Sequence, residues 1–219
     1  MAHISIRNYR KTDEEEVLNI GYRTGYMGED LTEKQIFNDK RLFGYLFCLY
    51  YTFYEEENCF VAVDESNGNK VVGYVLGTND SRRQEIRFAL TMAWRIVLRL
   101  TLYTIWKHPE SFQSVIFLLR NIGQNRVPDN LYEQYPAHLH INVLPEYQSF
   151  GIGSLLISQF EKHLQGQRVP GVHLRTSNNN QKAIPFYHKK GYSLLYEEKV
   201  WLWKNTTDTK ILIFAKKLD

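Results

Sequence analysis

The sequence predicts an α/β (α+β) fold in which one mixed sheet of six or seven strands is flanked by helices. Two observations support this prediction. Short alternating or apolar runs recur along the chain between segments with helical spacing, and from residue 138 onward strands and helices follow one another in a clear order. The 219 residues, of which 43% are hydrophobic, are most simply interpreted as a single domain over residues 1–219.

The N-terminal half contains the first strands and helices. His3–Asn8 alternates apolar and polar residues and predicts a strand, and the acidic run Asp13–Glu16 is suited to a helix N-terminus. The aromatic-rich Leu42–Phe53 predicts one helix. Two apolar runs on either side of an Asn-Gly turn then predict a hairpin. These runs are Cys59–Asp64 and Val71–Thr78.

The segment 81–131 is interpreted as a helical insertion before the central strand. Ile86–Trp106 is apolar apart from Arg87, Arg95 and Arg99, which fall within about 120° of a helical wheel. Three interior arginines, at roughly 2.5–3.5 kcal/mol each, disfavour a transmembrane span. We expect the helix to pack on its own domain; a dimer or partner surface and membrane contact are the alternatives. A second helix over Ser114–Ile122 and a connector over Asn125–Pro136 would complete the segment.

The C-terminal half alternates strands and helices. The predicted strands are His138–Leu144, Gly171–Thr176, Tyr192–Glu197 and Thr209–Lys216, and the predicted helices are Gly151–Leu164 and Asn180–Lys190. The first of these helices carries apolar residues on one face.

Charge and cysteine content exclude several classes of protein. Lys and Arg number 27 against 24 Asp and Glu, and a net charge of +3 argues against a dedicated nucleic-acid binder. Cys48 and Cys59 are too few for a disulfide scaffold. The N-terminus lacks the apolar run of a signal peptide, so we expect a cytoplasmic protein with reduced thiols.

The clearest chemical signal is the loop 148–153, Gln-Ser-Phe-Gly-Ile-Gly, between a strand and a helix. Glycines allow close approach of a ligand to the backbone, and the first N–H groups of a helix are free. Together with the helix dipole they make an anion site, which we interpret as a phosphate site. A tight turn with close packing is the structural alternative.

A second signal follows about 25 residues later. Asn180 precedes a short helix on which Ala183, Phe186 and Tyr187 share one face, and Gly191-Tyr192 ends the pattern. A tyrosine in such a stripe can belong to the core or to a site.

The two signals together resemble the GNAT superfamily of acetyl-CoA-dependent N-acetyltransferases. The 148–153 loop resembles its motif A, Q/R-x-x-G-x-G/A, and residues 180–192 resemble its motif B, N-x-x-A-x-x-F-Y-x-x-x-G-F. The close match covers about 137–197, and it implies a GNAT fold with acetyl-CoA as the co-substrate.

The resemblance implies a residue-by-residue cofactor site. Backbone N–H groups of the 148–153 loop would hold the pyrophosphate: Gln148 (its side chain nearby), Ser149, Phe150, Gly151, Ile152 and Gly153. The pantetheine arm would pair with the exposed backbone of Ile141, Asn142 and Val143, as in strand addition. Asn180 would contact the arm of the cofactor.

Direct acyl transfer would need a proton acceptor for the amine and a proton donor for the leaving thiolate. The family pattern places Tyr187 as the donor, and the N–H of Val143 could polarise the carbonyl. His138, His140 and Asn142 alternate along the central strand and share one face if no bulge intervenes. His140 is our candidate base, directly or through water. The alternatives are histidines that only hydrogen-bond on the sheet, or a metal pair, for which no third ligand is evident, so we expect no metal.

The resulting hypothesis is an N-acetyltransferase that moves acetyl from acetyl-CoA to the amine of a small molecule or peptide. A non-catalytic acyl-CoA-binding or regulatory module is the alternative. We expect no nucleic-acid partner and no membrane partner, and a homodimer is an alternative to the monomer. Candidate residues on the acceptor side are the aromatic Tyr22, Tyr26, Tyr50 and Tyr51 and the acidic Glu29, Asp30 and Asp80.

Overall fold

The computed structural model describes residues 3–121, 129–200, 203, 206 and 208–218. They form a seven-stranded sheet flanked by helices. The strands are β1 (Ile4–Asn8), β2 (Cys59–Asp64), β3 (Lys70–Thr78), β4 (Ala137–Val143), β5 (Gly171–Ser177), β6 (Ser193–Lys199) and β7 (Lys210–Lys217). Their order in the sheet is β1-β2-β3-β4-β5-β7-β6, and the pairs are antiparallel except β4 with β5. The predicted mixed sheet is confirmed.

Helices lie between the strands. They are α1 (Glu14–Arg23), α2 (Lys40–Phe47), α3 (Leu49–Tyr54), α4 (Ser81–Arg99), α5 (Ile105–Lys107), α6 (Pro109–Asn121), α7 (Asp129–Gln134), α8 (Ile152–Gly166) and α9 (Ala183–Lys189). A π-helical turn, Leu100–Thr104, joins α4 to α5.

Three sequence-based boundaries were wrong. The predicted helix Leu42–Phe53 is two helices, because the backbone leaves the helical region at Cys48. The predicted helix Ile86–Trp106 is interrupted by the π turn. The connector Asn125–Pro136 contains α7, although its residues 125–128, like Ile122, lie outside the described residues. That 81–131 is an insertion within a single domain stays a prediction.

The two faces of the sheet are covered by different helices. A Cβ added at Gly77 of β3 would lie 2.4 Å from the ring of Phe160 of α8, so glycine is needed for this close approach. Tyr74, three residues earlier on the same strand, points to the opposite face of the sheet, and its hydroxyl lies beside Gly21 of α1. The protein therefore packs α8 on one face and α1 to α3 on the other, with buried apolar side chains on both sides.

Candidate functional site

The central strand β4 is paired differently on its two sides. Toward β3 it is in continuous register from His138 to Val143. Toward β5 only Ala137 and His138 have partners, opposite Val172 and His173. The two strands thus part after their first residues, and the β5 side of residues 141–143 is an open edge. This is the geometry in which an extended amide chain can be bound as an added strand.

The loop that follows β4 presents its backbone to the solvent. Ser149 (φ 70°) and Gly151 (φ 79°) are left-handed, and no side chain caps α8, which Gly151 precedes. A Cβ at Gly151 would meet no protein atom within 4 Å. The first N–H groups of α8 therefore face open space, where the helix dipole favours an anion.

Gly153, the second glycine of the loop, is explained by a different constraint. A Cβ at Gly153 would lie 3.1 Å from the ring of Phe186 on α9. Close packing of α8 on α9 thus explains Gly153, while open approach explains Gly151. The close packing expected as the structural alternative is therefore present at Gly153, and the phosphate site at Gly151 stays a prediction.

The side chains predicted near the cofactor have definite neighbours. Gln148 donates from Nε2 to the carbonyl of Val143 (3.1 Å), which fixes the loop to the end of β4. Phe150 is 74% exposed beside the open helix start. Asn180 lies against Gly28, and both line the same cavity.

Two cavities meet on the face of β4 that α1 to α3 cover. The larger, about 230 Å³, is lined by His140 and Asn142 of β4, by Asn180 and by aromatic side chains. The smaller, about 150 Å³, lies between α4 and β5. His140 and Arg175 line both, so His140 is the side chain of β4 that connects them.

A tyrosine links the two histidines of β4. The hydroxyl of Tyr51 lies 2.6 Å from Nε2 of His138 and 3.0 Å from Nε2 of His140. Nδ1 of His138 lies 2.7 Å from Oγ of Ser81, which donates to the carbonyl of Pro136. The register with β3 has no shift here, so the predicted common face of His138, His140 and Asn142 is present.

This network assigns the tautomers. Ser81 donates to Pro136, so its Oγ accepts from Nδ1–H of His138, and Nε2 of His138 accepts from Tyr51. The oxygen of Tyr51 then accepts from Nε2–H of His140. Nδ1 of His140 is left with a lone pair, and no hydrogen bond binds it in the described part of the chain. It is the ring nitrogen suited to accept a proton.

The surroundings of both histidines favour the neutral imidazole. Burial lowers the pKa of His138 well below its usual range, followed by repulsion from His173 and His140. Desolvation, followed by the charge of Arg175, also lowers the pKa of His140. His140 lines the open cavity and is exposed, so water moderates this desolvation.

The third polar residue of the β4 face is fixed by a buried tyrosine. Asn142 donates from Nδ2 to the hydroxyl of Tyr74 (2.7 Å), and Sγ of Cys48 lies 3.7 Å from the same hydroxyl. Burial raises the pKa of Cys48 to about 12. Cys48 lines the larger cavity, but as a thiol rather than a thiolate it is a poor nucleophile.

Tyr187 lies in an aromatic cluster formed by α9 and β7. Its ring centroid is 5.4 Å from that of Phe186 and 5.6 Å from that of Phe214. It lines neither of the two cavities. Burial raises the pKa of its hydroxyl, which keeps the phenol protonated at neutral pH. Its role as the donor stays a prediction.

The acidic acceptor-side candidates are engaged elsewhere. Glu29 pairs with Lys34 (2.7 Å), Asp30 with Arg23 (3.3 Å), and Asp80 caps the start of α4. Among the residues that the structure describes, no Asp or Glu lines the larger cavity.

Of the tyrosine candidates, Tyr51 alone lines one of the two cavities described above. Tyr22 donates to the carbonyl of Phe37, Tyr50 is buried beside Glu55, and Tyr26 packs on Trp203. The linking role of Tyr51 and the position of Arg175 were missed from the sequence. Both depend on contacts between residues far apart in the chain, and no local pattern signals them.

Within the described ranges, no group of three or more His, Cys, Asp or Glu side chains is arranged to hold a metal ion.

Comparison with known proteins agrees with this geometry. Residues 29–192 match the model of the acetyltransferase (GNAT) family. A solved protein named SsHAT is 28% identical, with a TM-score of 0.79 over 99% of this chain and 98% of its own.

Two more distant structures share the fold. One is yncA from Salmonella typhimurium, solved with its cofactor acetyl-CoA, with 13% identity and a TM-score of 0.58 over 99% of this chain and 94% of its own. The other is the ribosomal-protein-S18-alanine N-acetyltransferase from Escherichia coli, with 13% identity and a TM-score of 0.54 over 99% of this chain and 94% of its own.

Proposed function

Because the chain belongs to the acetyltransferase (GNAT) family, we propose that it transfers an acetyl group from acetyl-CoA directly to an amine of a small molecule or peptide. The observation that supports this most is the parting of β4 and β5 beside the uncapped start of α8. An open strand edge and a free helix N-terminus, side by side, suit an amide-containing arm with a phosphate group at its end.

The proposed cofactor site uses the chain's backbone. N–H groups of Ser149, Phe150, Gly151, Ile152 and Gly153 would bind the pyrophosphate. Ile141, Asn142 and Val143 would pair with the pantetheine amides, and Asn180 would contact the arm from the opposite side. Gln148 would act by holding the loop against the carbonyl of Val143.

In the proposed reaction the amine nitrogen forms a bond to the thioester carbon, and the carbon–sulfur bond breaks. The amine proton goes to Nδ1 of His140, directly or through water, and the phenol of Tyr187 gives its proton to the leaving sulfur. The N–H of Val143 would stabilise the developing oxyanion. The raised pKa of Cys48 supports direct transfer, because the thiol in the cavity is not activated to carry the acetyl group.

We propose that the acceptor brings its amine to the thioester through the larger cavity. Phe43, Phe47, Trp203 and Leu118 line it, and the charge there is the guanidinium of Arg175. An amine on an apolar or aromatic group fits this lining better than a polycation, since no described carboxylate faces it.

The test is release of free thiol from acetyl-CoA across a panel of amines. We expect turnover with at least one aromatic or aliphatic amine, and a single acetyl group on the product by mass spectrometry. Cys48→Ala is expected to remain active, and no acetylated protein to accumulate without an acceptor. Tight acetyl-CoA binding without turnover on any amine would instead support the non-catalytic module, and a Cys48-bound acetyl group would contradict direct transfer.

A further inference from the structure

Helix α4, the π turn and α5 expose a row of large apolar side chains, here called the apolar face. Its members, from 38% to 75% exposed, are Ile86, Leu90, Trp94, Val97, Leu98, Leu102, Tyr103, Ile105 and Trp106. Single exposed apolar residues are ordinary, but a contiguous row of nine indicates an interaction surface.

The opposite side of the same helix is fixed to the protein. Met92, Leu100 and Thr104 are buried against the core. Arg99 binds the buried carboxylate of Asp39 (2.9 Å), which also accepts from Thr104 (2.6 Å). The helix therefore lies flat on the protein and presents the apolar face outward, so the expected packing on its own domain accounts for one side only.

The charge around the apolar face is mainly positive. Residues 86–109 include four basic side chains, Arg87, Arg95, Arg99 and Lys107, of which Arg99 is paired with Asp39; Glu85 and Glu110 flank this range, and the whole chain carries only +3. Arg87 and Lys107 are exposed toward the two ends of the row. Two copies of this face would bring like charges together, whereas an anionic surface complements them.

The aromatic residues favour the same kind of surface. Trp94 and Trp106 are 52% and 75% exposed, and Tyr103 is 42% exposed. Tryptophan and tyrosine prefer the boundary between lipid headgroups and acyl chains, because each combines a large apolar ring with a polar atom.

By length and composition, Ser81–Lys107 is apolar enough to cross a membrane. Its attached inner side excludes crossing without unfolding that contact, since Arg99 would have to leave Asp39. A helix with one apolar side, flanking cations and one side held by the protein is suited to lying in the plane of the interface.

We propose that the apolar face docks this protein on membranes that contain anionic lipids. The inference is independent of the proposed acetyl transfer. Gln84 and Glu85 of α4 line the smaller cavity and Leu118 of α6 lines the larger one, so docking places the candidate site beside the lipid surface.

The test is co-sedimentation of the full chain with vesicles of phosphatidylcholine alone or with about one third phosphatidylserine. We expect at least tenfold stronger binding to the anionic vesicles and a loss of binding in high salt. The double variant Leu90→Glu/Trp94→Glu is expected to weaken binding at least tenfold. Leu194→Glu is the matched control, since Leu194 is an exposed leucine (42%) on β6, away from this helix.

A measurement without any variant complements this test. Brominated phosphatidylcholine in the anionic vesicles is expected to quench tryptophan fluorescence of the wild-type chain, because Trp94 and Trp106 would enter the acyl region. Absence of sedimentation with either vesicle, or equal binding by the double variant and the control, would overturn the proposal. So would a stable dimer on gel filtration that Leu90→Glu/Trp94→Glu dissociates and that binds no vesicles, because the occupant would then be a second copy.

Discussion

The proposed cofactor side and the proposed acceptor side of β4 are built in different ways. The cofactor side consists of backbone: a strand edge, two left-handed residues and a helix start without a cap. The acceptor side consists of side chains, with Tyr51 joined to His138 and His140. Backbone recognition is determined locally by glycine positions, whereas the side-chain network requires residues 87 positions apart in the chain to meet. Variants on the two sides should therefore separate binding from turnover.

The largest expected effect is on the cofactor side. Gly151→Asp places a carboxylate and a Cβ in the open space where the pyrophosphate would bind, so calorimetry should detect no acetyl-CoA binding. Gly68→Asp is the matched control, because Gly68 has the same left-handed backbone (φ 63°) with no atom within 4 Å of an added Cβ. Unchanged affinity in Gly151→Asp would contradict the phosphate site.

On the acceptor side the largest effect is expected at His140. His140→Ala should lower kcat by roughly 10²–10⁴ with little change in acetyl-CoA affinity. His140→Gln keeps a donor for Tyr51 but lacks the basic nitrogen, so it should be equally slow. Activity in His140→Gln near the wild-type level would restrict His140 to a structural role.

The same residue determines an expected pH dependence. His140 must be neutral to accept a proton, and its pKa is lowered, so the wild-type rate should hold through neutrality and fall only below the ordinary histidine pKa of about 6.5. His138 and His173 also have lowered pKa values, so unfolding takes up protons below pH 6.5 and the fold loses stability there. Circular dichroism at each pH separates the two causes. A rate limb at or above the ordinary histidine pKa would contradict the assignment.

A smaller effect is expected at Tyr187. Tyr187→Phe retains the packing on Phe186 and Phe214 and removes the hydroxyl, so single-turnover rates should fall by on the order of 10²-fold with acetyl-CoA affinity unchanged. Tyr192→Phe, in the same aromatic cluster, is the control. Equal single-turnover rates for Tyr187→Phe and wild type at every pH would mean that Tyr187 is core packing.

The smallest effect is expected at Tyr51, which positions the histidines rather than touching the substrate. Tyr51→Phe leaves two ring nitrogens without a partner, which should lower stability by about 1–3 kcal/mol and kcat by about tenfold, with KM little changed. Tyr50→Phe is the neighbouring control. A wild-type kcat and pH profile in Tyr51→Phe would show that His140 needs no anchor.

Local signals predicted the position of the glycine loop well and the side-chain contacts around β4 poorly. Loop 148–153 lies between β4 and α8 as predicted, because the glycines and the strand-to-helix change are adjacent in sequence. The alternation of His138 and His140 also predicted their common face. Tyr51 was one of four equivalent tyrosines, since a propensity argument cannot tell which of them reaches β4. Asp80 was one of three acidic candidates for the acceptor side, but a residue that precedes a helix is often its cap, as Asp80 is here.

Segments of mixed composition were the least predictable part of the fold. The polar residues of Asp129–Gln134 resemble a connector, and the helix there depends on Leu131 and Tyr132 packing into the protein. The break at Cys48 has no glycine or proline to signal it.

The place of α4–α7 in the chain has a consequence for how the sheet is assembled. β2 and β3 are joined by 5 residues, but β3 and its neighbour β4 are separated by 58. Closing the longer loop costs about 2 kcal/mol more in chain entropy, before any packing of the intervening helices offsets it. Pulse-labelling hydrogen exchange should accordingly find the amides of β2 and β3 protected before those of β4. The edge proposed to receive acetyl-CoA would then be among the last parts of the sheet to form, and acetyl-CoA binding would report completed folding.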